Sequence, residues 1–387
     1  MKDYDVIVVG LGIMGSSTLF HAARSGASTL GIESFGPTHQ FGSSHGETRI
    51  FRRAYWEGEK YLPLLNRAHQ LWAELQATTD EKLIVPTGGI FIGPQSTGVV
   101  KGSRNTAKAG AIAHEVLDAT QIRRRFPAFH IPDGMEAIYE PGAYIVMANK
   151  VRLQMIDLAI QNGAETRFGR MVKKIEKCDG SVLLITTNDG EKFRARSVVI
   201  TTGPWMARDL LPELSNHISS KRVPIYWFDN LDKHKQDFTS DNFPVFLYEH
   251  PDGHLIYGIP AGASSERGVK IGFHNRQHVP CTPNDIKKTV SKQHIAEMSR
   301  YIKQLFPGLN PHPIASRSCF YTMSTDENFL IGASEKFSNI FFASACSGHG
   351  FKFGSAIGES LALLAQGKRP PIDLSAFAVS RFDVSGK

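Results

Sequence analysis

The chain has 387 residues, of which 41% are hydrophobic, 10% aromatic and 21% charged. This composition is typical of a globular protein and excludes an intrinsically disordered chain. At roughly 100–200 residues per domain, the length predicts two domains. The 44 lysines and arginines exceed the 37 aspartates and glutamates, which gives a formal net charge of +7. A modest positive charge favours anionic small molecules as ligands.

Simple patterns exclude several classes of partner and location. The longest basic run, residues 123–125, has no accompanying nucleic-acid motif, so it is interpreted as a solvated helix end and no nucleic-acid partner is predicted. The apolar stretch 6–9 is too short for a signal peptide. No run of about 18 apolar residues occurs, so no membrane span is predicted. The last four residues, VSGK, match neither a peroxisomal nor an ER-retention signal, and a cytoplasmic location is expected.

Cysteines and histidines are scattered along the chain. The four cysteines form no Cys-x-x-Cys pair, which argues against a disulfide framework or a zinc site and favours a reducing compartment. The 15 histidines show no metal-ligand spacing, so no metal site is predicted. A lone cysteine is most often a small buried apolar residue. The cysteines are Cys178, Cys281, Cys319 and Cys346.

The N-terminal elements predict a βαβ unit of about 30 residues. Residues 5–9 are a short β-branched run, which is typical of a buried strand. The sequence GLGIMG follows at residues 10–15, and residues 16–25 have helical spacing. Residues 28–32 predict a second strand, which leads into Glu33.

Elements of the same kind recur later in the chain. Residues 197–201 and 339–345 each predict another buried strand of a parallel sheet, and residues 353–365 predict a helix after the second of them. Residues 284–305 also predict a helix. Between these elements lie segments whose alternation predicts antiparallel strands, at residues 87–94, 137–145 and 245–273.

This order predicts a mixed α/β fold in which two domains are interleaved. A discontinuous dinucleotide-binding domain is expected to comprise residues 1–85, 150–213 and 316–387. A largely antiparallel substrate-binding domain is expected to comprise residues 86–149 and 214–315.

The first turn has the residues that a dinucleotide pyrophosphate requires. Gly10 permits a tight turn, Gly12 lets the backbone approach the phosphates, and Gly15 lets the helix pack against the strand. The helix N-terminus supplies N–H groups for the negative charge. Glu33 can accept hydrogen bonds from an adenosine ribose, and its charge disfavours the 2′-phosphate of NADP. The motif predicts a dinucleotide without distinguishing FAD from NAD.

The segment 42–55 is polar and rich in glycine, and its second half is basic. Small residues allow the backbone to lie close to a ligand. If this segment is helical, Arg49 and Arg52 share one face, as residues three positions apart do. The alternative interpretation is a solvated basic turn.

Four separated motifs in this order resemble the monomeric sarcosine oxidase and N-methyltryptophan oxidase family, which also includes pipecolate oxidases. They are GLGIMG at 10–15, SSHGETRIFR at 43–52, CFYT at 319–322 with an Asp-Glu pair at 326–327, and SGHGFKF at 347–353. The resemblance spans essentially the whole chain. It implies a Rossmann-like FAD-binding domain of the glutathione-reductase type joined to an antiparallel-sheet substrate domain, as in D-amino-acid oxidase-like flavoproteins.

The resemblance gives Cys319 a role that the residues alone do not indicate. In the family, the cysteine of this motif holds the flavin through a thioether at the 8α position, which requires attack by a thiolate. Covalent FAD through Cys319 is therefore expected. The contacts to the cofactor that the motifs and the resemblance imply are Gly10, Gly12, Ile13, Met14, Gly15, Glu33, Ser34, Ser43, Ser44, His45, Thr48, Arg49, Cys319, Gly348, His349, Gly350 and Lys352.

The resemblance also implies roles at the reacting end. Arg52 and Lys352 are expected to bind the substrate carboxylate through charge-assisted hydrogen bonds. Lys270, with Arg49 nearby, is expected to lie against the flavin, where its charge promotes oxygen reduction. Alternation within 270–274 places Lys270 and His274 on one face of a strand. The predicted polar contacts to the amine are His274, His349 and Tyr257, of which Tyr257 also contacts the substrate.

The expected activity is oxidative demethylation of sarcosine or another N-methyl amino acid by a monomeric, FAD-dependent oxidase. The partners are then the secondary amino acid and O2, and the products are the amino acid, formaldehyde and H2O2. Alternatives are a cyclic or bulkier substrate such as pipecolate or N-methyltryptophan, a flavin dehydrogenase with another electron acceptor, an NAD-dependent dehydrogenase, and a non-catalytic binding module. The loop 261–268 is slightly longer than in typical relatives and bears on substrate size, and Gly332 replaces an acidic residue common in them.

Overall fold

The computed structural model describes residues 2–95, 98–263, 267–284, 289–344 and 347–386. Part of the loop 261–268 and Cys346 lie outside the described residues. The strands are β1 (Asp3–Val9), β2 (Thr29–Glu33), β3 (Thr48–Phe51), β4 (Ile84–Pro86), β5 (Gly89–Pro94), β6 (Glu115–Asp118), β7 (Met135–Glu140), β8 (Tyr144–Met147), β9 (Glu165–Phe168), β10 (Val172–Lys177), β11 (Leu183–Thr187), β12 (Lys192–Ile200), β13 (Ile218–Phe228), β14 (Val245–Glu249), β15 (Leu255–Ile259), β16 (Val269–Phe273), β17 (Val279–Pro280), β18 (Ala315–Ser324), β19 (Leu330–Ala333) and β20 (Ile340–Ser344). The α-helices are α1 (Ile13–Arg24), α2 (Leu62–Gln76), α3 (Gly98–Ala109), α4 (Ala119–Arg125), α5 (Ala148–Gln161), α6 (Met206–Asp209), α7 (Lys292–Leu305) and α8 (Gly354–Ala365).

The first large sheet carries the βαβ unit at its centre. Its main path runs β10-β11-β12-β1-β2-β9, and β20 pairs with both β12 and β19. The pairs β1–β12, β1–β2, β2–β9 and β12–β20 are parallel. Val6, Ile7 and Val8 of β1 have no exposed surface, as expected for a strand covered on both faces. The four strands predicted for a parallel sheet are therefore confirmed.

The second large sheet has the path β17-β13-β16-β15-β14-β5-β7-β6, with β18 paired to β13. All of these pairs are antiparallel except β14–β5. The largely antiparallel second region is thus confirmed. A small third sheet, β3-β8-β4, contains residues 48–51 of the segment 42–55.

Helices α1 and α8 pack closely because glycines lie at their contact. A Cβ atom at Gly354 would lie 2.5 Å from Ile13 Cγ1, and one at Gly358 would lie 2.3 Å from Ser17 Cβ. The Ser17 hydroxyl also donates a hydrogen bond to the Ser355 carbonyl oxygen, at 3.2 Å. The N-terminus of α1 is thereby fixed against the C-terminal part of the chain.

Two predicted helices begin later than the sequence suggests. The prediction over 284–305 is wrong at its start, because α7 begins at Lys292, where the Ser291 hydroxyl accepts a hydrogen bond from the His294 amide. Asn284 lies in a turn, and residues 285–288 are outside the described part of the chain. The helix expected from residue 353 begins at Gly354, after a single 3₁₀ turn over Phe351–Phe353.

The predicted domain bounds stay a prediction. Strand β18 pairs with β13 in the second sheet, although those bounds assign residues 316–387 to the dinucleotide-binding domain. Among the described residues, no helix has both the length and the apolar character needed to cross a bilayer.

Candidate active site

A cavity of about 730 Å³ is lined by residues of both large sheets and of β3. The structure brings almost all the predicted site residues to it, and only Gly15 and His45 are not among its lining residues. Those that line it are Gly10, Gly12, Ile13, Met14, Glu33, Ser34, Ser43, Ser44, Thr48, Arg49, Arg52, Tyr257, Lys270, His274, Cys319, Gly348, His349, Gly350 and Lys352.

The turn between β1 and α1 forms one end of this cavity. Gly10 has φ +88°, and a Cβ there would lie 2.8 Å from the Thr201 carbonyl oxygen, so only glycine fits. A Cβ at Gly15 would lie 1.8 Å from the Gly10 carbonyl oxygen. Gly15 therefore acts through close packing of α1 on β1, as its place in the motif predicts, rather than by lining the cavity.

Glu33 and the serines of segment 42–55 complete this end of the cavity. The buried Glu33 carboxylate accepts hydrogen bonds from the amides of Leu11 at 2.8 Å and Phe35 at 3.0 Å. The Ser44 hydroxyl accepts one from the Ile13 amide at the start of α1, at 3.0 Å. The carboxylate and the N-terminus of α1 thus line the same cavity, and their roles toward a ribose and phosphates stay a prediction.

Several buried polar atoms along the cavity fit a flavin dinucleotide. The side-chain oxygens of Ser43, Thr202 and Thr322 are buried and have no hydrogen-bond partner among the described residues. Buried hydroxyl groups are normally paired, so these atoms mark positions for a polar ligand. They lie on three separate parts of the chain, the segment 42–55, the residues after β12, and β18. The donor set therefore fits this cofactor.

Lys270 lines the cavity from β16. Its ammonium donates hydrogen bonds to the carbonyl oxygens of Gly46, at 2.9 Å, and Thr48, at 3.1 Å. Burial and the nearby Arg49 guanidinium lower the pKa of Lys270 to about 7. Arg49 is held by the carbonyl oxygens of Thr48, Ser43 and His45. His45 thus contributes through its backbone.

The segment carrying the two arginines is a strand and then a loop, so the helical interpretation of Arg49 and Arg52 is wrong. Arg49 lies within β3 and Arg52 follows its end. Their side chains both reach the cavity because the chain leaves the strand after Phe51. Lys270 of β16 and His274, which directly follows that strand, line the cavity together, as the alternation over 270–274 predicts.

Cys319 lies on β18 with 6% of its surface exposed, facing the same cavity as Tyr257. Burial raises the pKa of the Tyr257 hydroxyl to about 12, so it stays protonated at neutral pH and can donate a hydrogen bond. Because Cys319 lines the cavity, a ligand there can contact its side chain. The covalent link itself stays a prediction.

Two buried cations, Arg52 and Lys352, face one aromatic ring. The Arg52 guanidinium carbon lies 4.4 Å and the Lys352 ammonium 5.0 Å from the centroid of Tyr55. Cations over an aromatic face are stabilised by its quadrupole. Burial and the Arg52 charge lower the pKa of Lys352 to about 7. Two buried cations side by side could bind an anion, and we call this pair the anion-binding pocket.

The carboxylate of Glu57 forms an ion pair with Arg52 of this pocket. Both of its carboxylate oxygens accept hydrogen bonds from Arg52 Nη2, each at 2.8 Å. Burial alone would raise the pKa of Glu57, but Arg52 and the neighbouring cations outweigh it and lower the pKa to about 2. Glu57 is therefore ionised, and its carboxylate already binds the Nη2 group of the Arg52 guanidinium.

The two histidines near this pocket are neutral at neutral pH. Burial lowers the pKa of His349 to about 3 and that of His274 to about 4. His349 Nε2 lies 3.2 Å from the Glu327 carbonyl oxygen, which can only accept, so this nitrogen carries the proton. His349 Nδ1 then accepts a hydrogen bond from the Tyr55 hydroxyl, at 2.6 Å. This hydrogen bond joins the turn that precedes α8 to the loop that carries Arg52.

Sequence reasoning missed three consecutive contributors to the site, Tyr55, Trp56 and Glu57. The available signal was an acidic residue, Glu57, five positions after Arg52 in a basic stretch. It also missed the apolar wall of the cavity, which includes Trp56, Phe91, Ile225, Phe246 and Leu247.

No group of three or more histidine, cysteine, aspartate or glutamate side chains in the described part of the chain is arranged to hold a metal ion.

Comparisons with known proteins agree with this geometry. The chain matches the FAD dependent oxidoreductase family over residues 5–364. It is 35% identical over 381 residues to N-methyl-L-tryptophan oxidase from Yersinia pestis (strain Pestoides F), covering 98% of this chain and 100% of that protein. The protein of the same name from Yersinia pseudotuberculosis (serotype O:1b, strain IP 31758) has the same identity and coverage.

Solved structures share the fold at lower identity. NikD, an unusual amino acid oxidase essential for nikkomycin biosynthesis, superposes with a TM-score of 0.83 at 24% identity over 98% of each chain. Glycine oxidase from Geobacillus kaustophilus gives a TM-score of 0.79 at 19% identity, over 98% of this chain and 99% of that chain. Both likenesses concern the fold alone.

Proposed function

Since the chain belongs to the family of FAD dependent oxidoreductases and is a flavin-dependent amino-acid oxidase, we propose that it oxidises secondary amino acids, N-methyl amino acids among them, with molecular oxygen. With an N-methyl amino acid, the reaction consumes O2 and water and gives the demethylated amino acid, formaldehyde and H2O2. The observation that carries this proposal is the buried pair Arg52 and Lys352, which faces the cavity beside two neutral histidines. A monomeric state and a cytoplasmic location stay predictions.

Arg52 and Lys352 bind the carboxylate of the amino acid. A guanidinium offers a planar pair of donors that matches a carboxylate, and the Lys352 ammonium adds a second charge. Because Glu57 holds Arg52 Nη2, the incoming carboxylate either replaces Glu57 there or binds the remaining donors. Phe91, whose ring centroid is 5.4 Å from the Arg52 guanidinium carbon, limits the orientations available.

The amine of the substrate must be uncharged to react, since its lone pair assists oxidation of the neighbouring C–H bond. The nearby cations disfavour a second positive charge and so lower the pKa of the bound amine. His274 and His349 are neutral, so neither adds to that repulsion, and His274 can exchange a hydrogen bond with the amine. When bound, FAD supplies the two-electron oxidation of the C–N bond and the transfer of those electrons to oxygen.

Lys270 supplies the positive charge for oxygen reduction in this proposal. The carbonyl oxygens of Gly46 and Thr48 fix the ammonium toward the cavity, close to Arg49. A buried cation stabilises negative charge much more strongly than a solvated one. Covalent attachment of FAD through Cys319 belongs to the same proposal, and it is supported by the position of the buried sulfur at the cavity wall.

The size of the substrate side chain is proposed from the cavity wall. Sarcosine, the first expectation from the sequence, would leave the aromatic wall of Trp56, Phe91 and Phe246 without a partner. Apolar surface is most stable when it is covered by apolar groups. Two relatives that share 35% of their sequence with this chain are N-methyl-L-tryptophan oxidases. These observations favour an N-methyl amino acid with an apolar or aromatic side chain over sarcosine.

A peroxide-coupled assay tests this function. The holoenzyme is given sarcosine, N-methyl-L-tryptophan, N-methyl-L-phenylalanine and pipecolate, with tryptophan and glycine as primary-amine controls. We expect H2O2 from N-methyl amino acids, with higher kcat/KM for the aromatic ones and little from the primary amines. Anaerobic reduction of the flavin without rapid reoxidation by air would indicate a dehydrogenase instead. A protein whose flavin none of these amines reduces would contradict the proposal.

A further inference from the structure

Arg52 of the anion-binding pocket and several residues that contact it lie in one short loop, residues 52–58, which we call the clamp loop. It connects β3 to a 3₁₀ turn at Glu59–Tyr61 and has neither helical nor strand hydrogen bonding. Side chains on a loop keep a fixed direction only when other parts of the protein hold its backbone. The site residues it carries are Arg52, Tyr55, Trp56 and Glu57.

A fully buried carboxylate from the second sheet holds this backbone. Glu140, the last residue of β7, has no exposed surface. Its Oε2 atom accepts hydrogen bonds from the amides of Ala54 at 2.9 Å and Arg53 at 3.0 Å, and its Oε1 atom lies 3.2 Å from the Arg53 amide. Two consecutive amides of the clamp loop therefore converge on a single side chain.

The same peptide segment also contacts Arg52. Arg52 Nη1 donates a hydrogen bond to the Ala54 carbonyl oxygen at 3.2 Å. Glu140 thus fixes the amide of the residue whose carbonyl orients the guanidinium. A second anchor lies one residue further on, where the Thr106 hydroxyl of α3 donates to the Tyr55 carbonyl oxygen at 2.7 Å.

The charge state of Glu140 follows from its partners. Burial raises the pKa of Glu140, whereas the two amides and the nearby guanidinium of Arg53 act in the opposite direction. Its three short contacts are all with N–H donors, which an ionised carboxylate accepts best. An amide in its place would offer one acceptor oxygen instead of two and would bring an NH2 group against the amides of the clamp loop.

We propose that Glu140 is a positioning residue for substrate binding, whose carboxylate fixes the amides of Arg53 and Ala54 and so sets the direction in which Arg52 enters the cavity. Glu140 does not line the cavity, so it acts through Arg52 and not on the substrate. This inference rests on the proposed function, because it concerns binding of the substrate carboxylate.

The test compares holoenzyme variants by their affinity for a carboxylate. Benzoate is titrated into wild type, Glu140→Gln and Glu140→Asp, and binding is followed by the flavin absorbance. Losing one buried partner typically costs enough to weaken binding about tenfold. We expect Glu140→Gln to weaken benzoate binding and to raise KM for an N-methyl amino acid by that factor, with kcat changed less than about threefold. Glu140→Asp keeps the charge with a shorter reach and should give an intermediate affinity.

Glu136→Gln is the matched control. Glu136 lies on the same strand, forms an ion pair with Arg104 and does not line the cavity, so its loss should leave benzoate affinity unchanged. An equal loss in both Gln variants would show a general effect on β7 and overturn the proposal, as would wild-type affinity in Glu140→Gln.

Further outcomes distinguish a failure of folding, a failure of the anion-binding pocket and a failure of the role proposed for Glu140. If Glu140→Gln does not fold with flavin, Glu140→Asp decides alone, because wild-type affinity and KM in that variant would overturn the proposal. A wild-type holoenzyme that oxidises amines without binding benzoate or preferring amino acids would overturn the anion-binding pocket and this inference together. Wild-type binding with an unaffected Glu140→Gln would overturn only the role of Glu140.

Discussion

At the scale of single residues, the site is defined by charges that are kept out of water. Arg52, Lys270 and Lys352 each have 6% or less of their surface exposed. Burial disfavours the charged form of a lysine, which is why the pKa of both lysines falls to about 7. Arginine keeps its charge under the same conditions. The two lysines can therefore change charge near neutral pH.

The first prediction concerns the pH dependence of carboxylate binding. Lys352 carries its charge below its pKa of about 7 and loses it as the pH rises through that value. Benzoate affinity should therefore be greatest at low pH and fall by roughly tenfold toward pH 9, as expected for the loss of one charged hydrogen bond. Titrations from pH 5.5 to 9 measure this. Lys352→Met should bind weakly with little pH dependence, and a wild-type affinity independent of pH would contradict the assigned pKa.

The second prediction separates the two half-reactions. Lys270→Met removes the buried charge assigned to oxygen reduction while leaving the anion-binding pocket intact. Reoxidation of the reduced flavin by air should slow by roughly a hundredfold, the scale observed when one preorganised electrostatic group is lost. Anaerobic reduction by an N-methyl amino acid should change far less. Stopped-flow absorbance measures both rates, and a variant slowed only in reduction would show that this role is wrong.

At the scale of helices and strands, local sequence patterns predicted the elements whose formation depends on residues close together in the chain. The run 5–9 predicted β1, and Gly354 and Gly358 lie where α8 meets α1. The start of α7 was mispredicted because the helical composition upstream of Ser291 does not outweigh the cap that this serine forms. Glu140 was missed for a different reason: its partner Arg53 lies 87 positions away, and no local pattern records such a contact.

The third prediction tests the contact between α1 and α8. In an exposed helix, glycine to alanine is stabilising by about 1 kcal/mol. At Gly358 the new Cβ would lie 2.3 Å from Ser17 Cβ and 2.7 Å from the Thr18 amide nitrogen, so the helices must separate. Gly358→Ala should therefore lower the free energy of unfolding by about 1–3 kcal/mol. Denaturant unfolding measures it. Gly36→Ala, whose Cβ would have no atom within 4 Å, is the control and should be close to neutral.

At the scale of the whole molecule, the site exists only where the two large sheets meet. The dinucleotide turn follows β1 of the first sheet, whereas Lys270 and Cys319 lie on β16 and β18 of the second. The sequence predicted these two regions and many of the lining residues, because each motif is local. It did not predict which side chains from different motifs touch, since that depends on how the sheets pack.

The fourth prediction concerns the link between cofactor and chain. If Cys319 holds the flavin, acid precipitation of the wild-type protein should leave the yellow colour in the pellet. Cys319→Ala should release the flavin into the supernatant, where absorbance measures it. Cys281→Ala, which changes a cysteine that does not line the cavity, is the control and should retain the colour. Flavin that leaves the wild-type protein on denaturation would contradict covalent attachment.

The position of Cys319 has a consequence for assembly. It lies on a strand of one sheet, while the nucleotide half of the same FAD molecule would be held by the turn of the other. A cofactor bonded to the chain cannot diffuse away when the protein unfolds, so its return is an intramolecular event governed by effective concentration. Recovery of the native protein after unfolding should then be independent of added FAD. A covalently bound cofactor would stabilise the contact between the two sheets. Unlike the stabilisation by a dissociable ligand, this stabilisation would not depend on the concentration of free FAD.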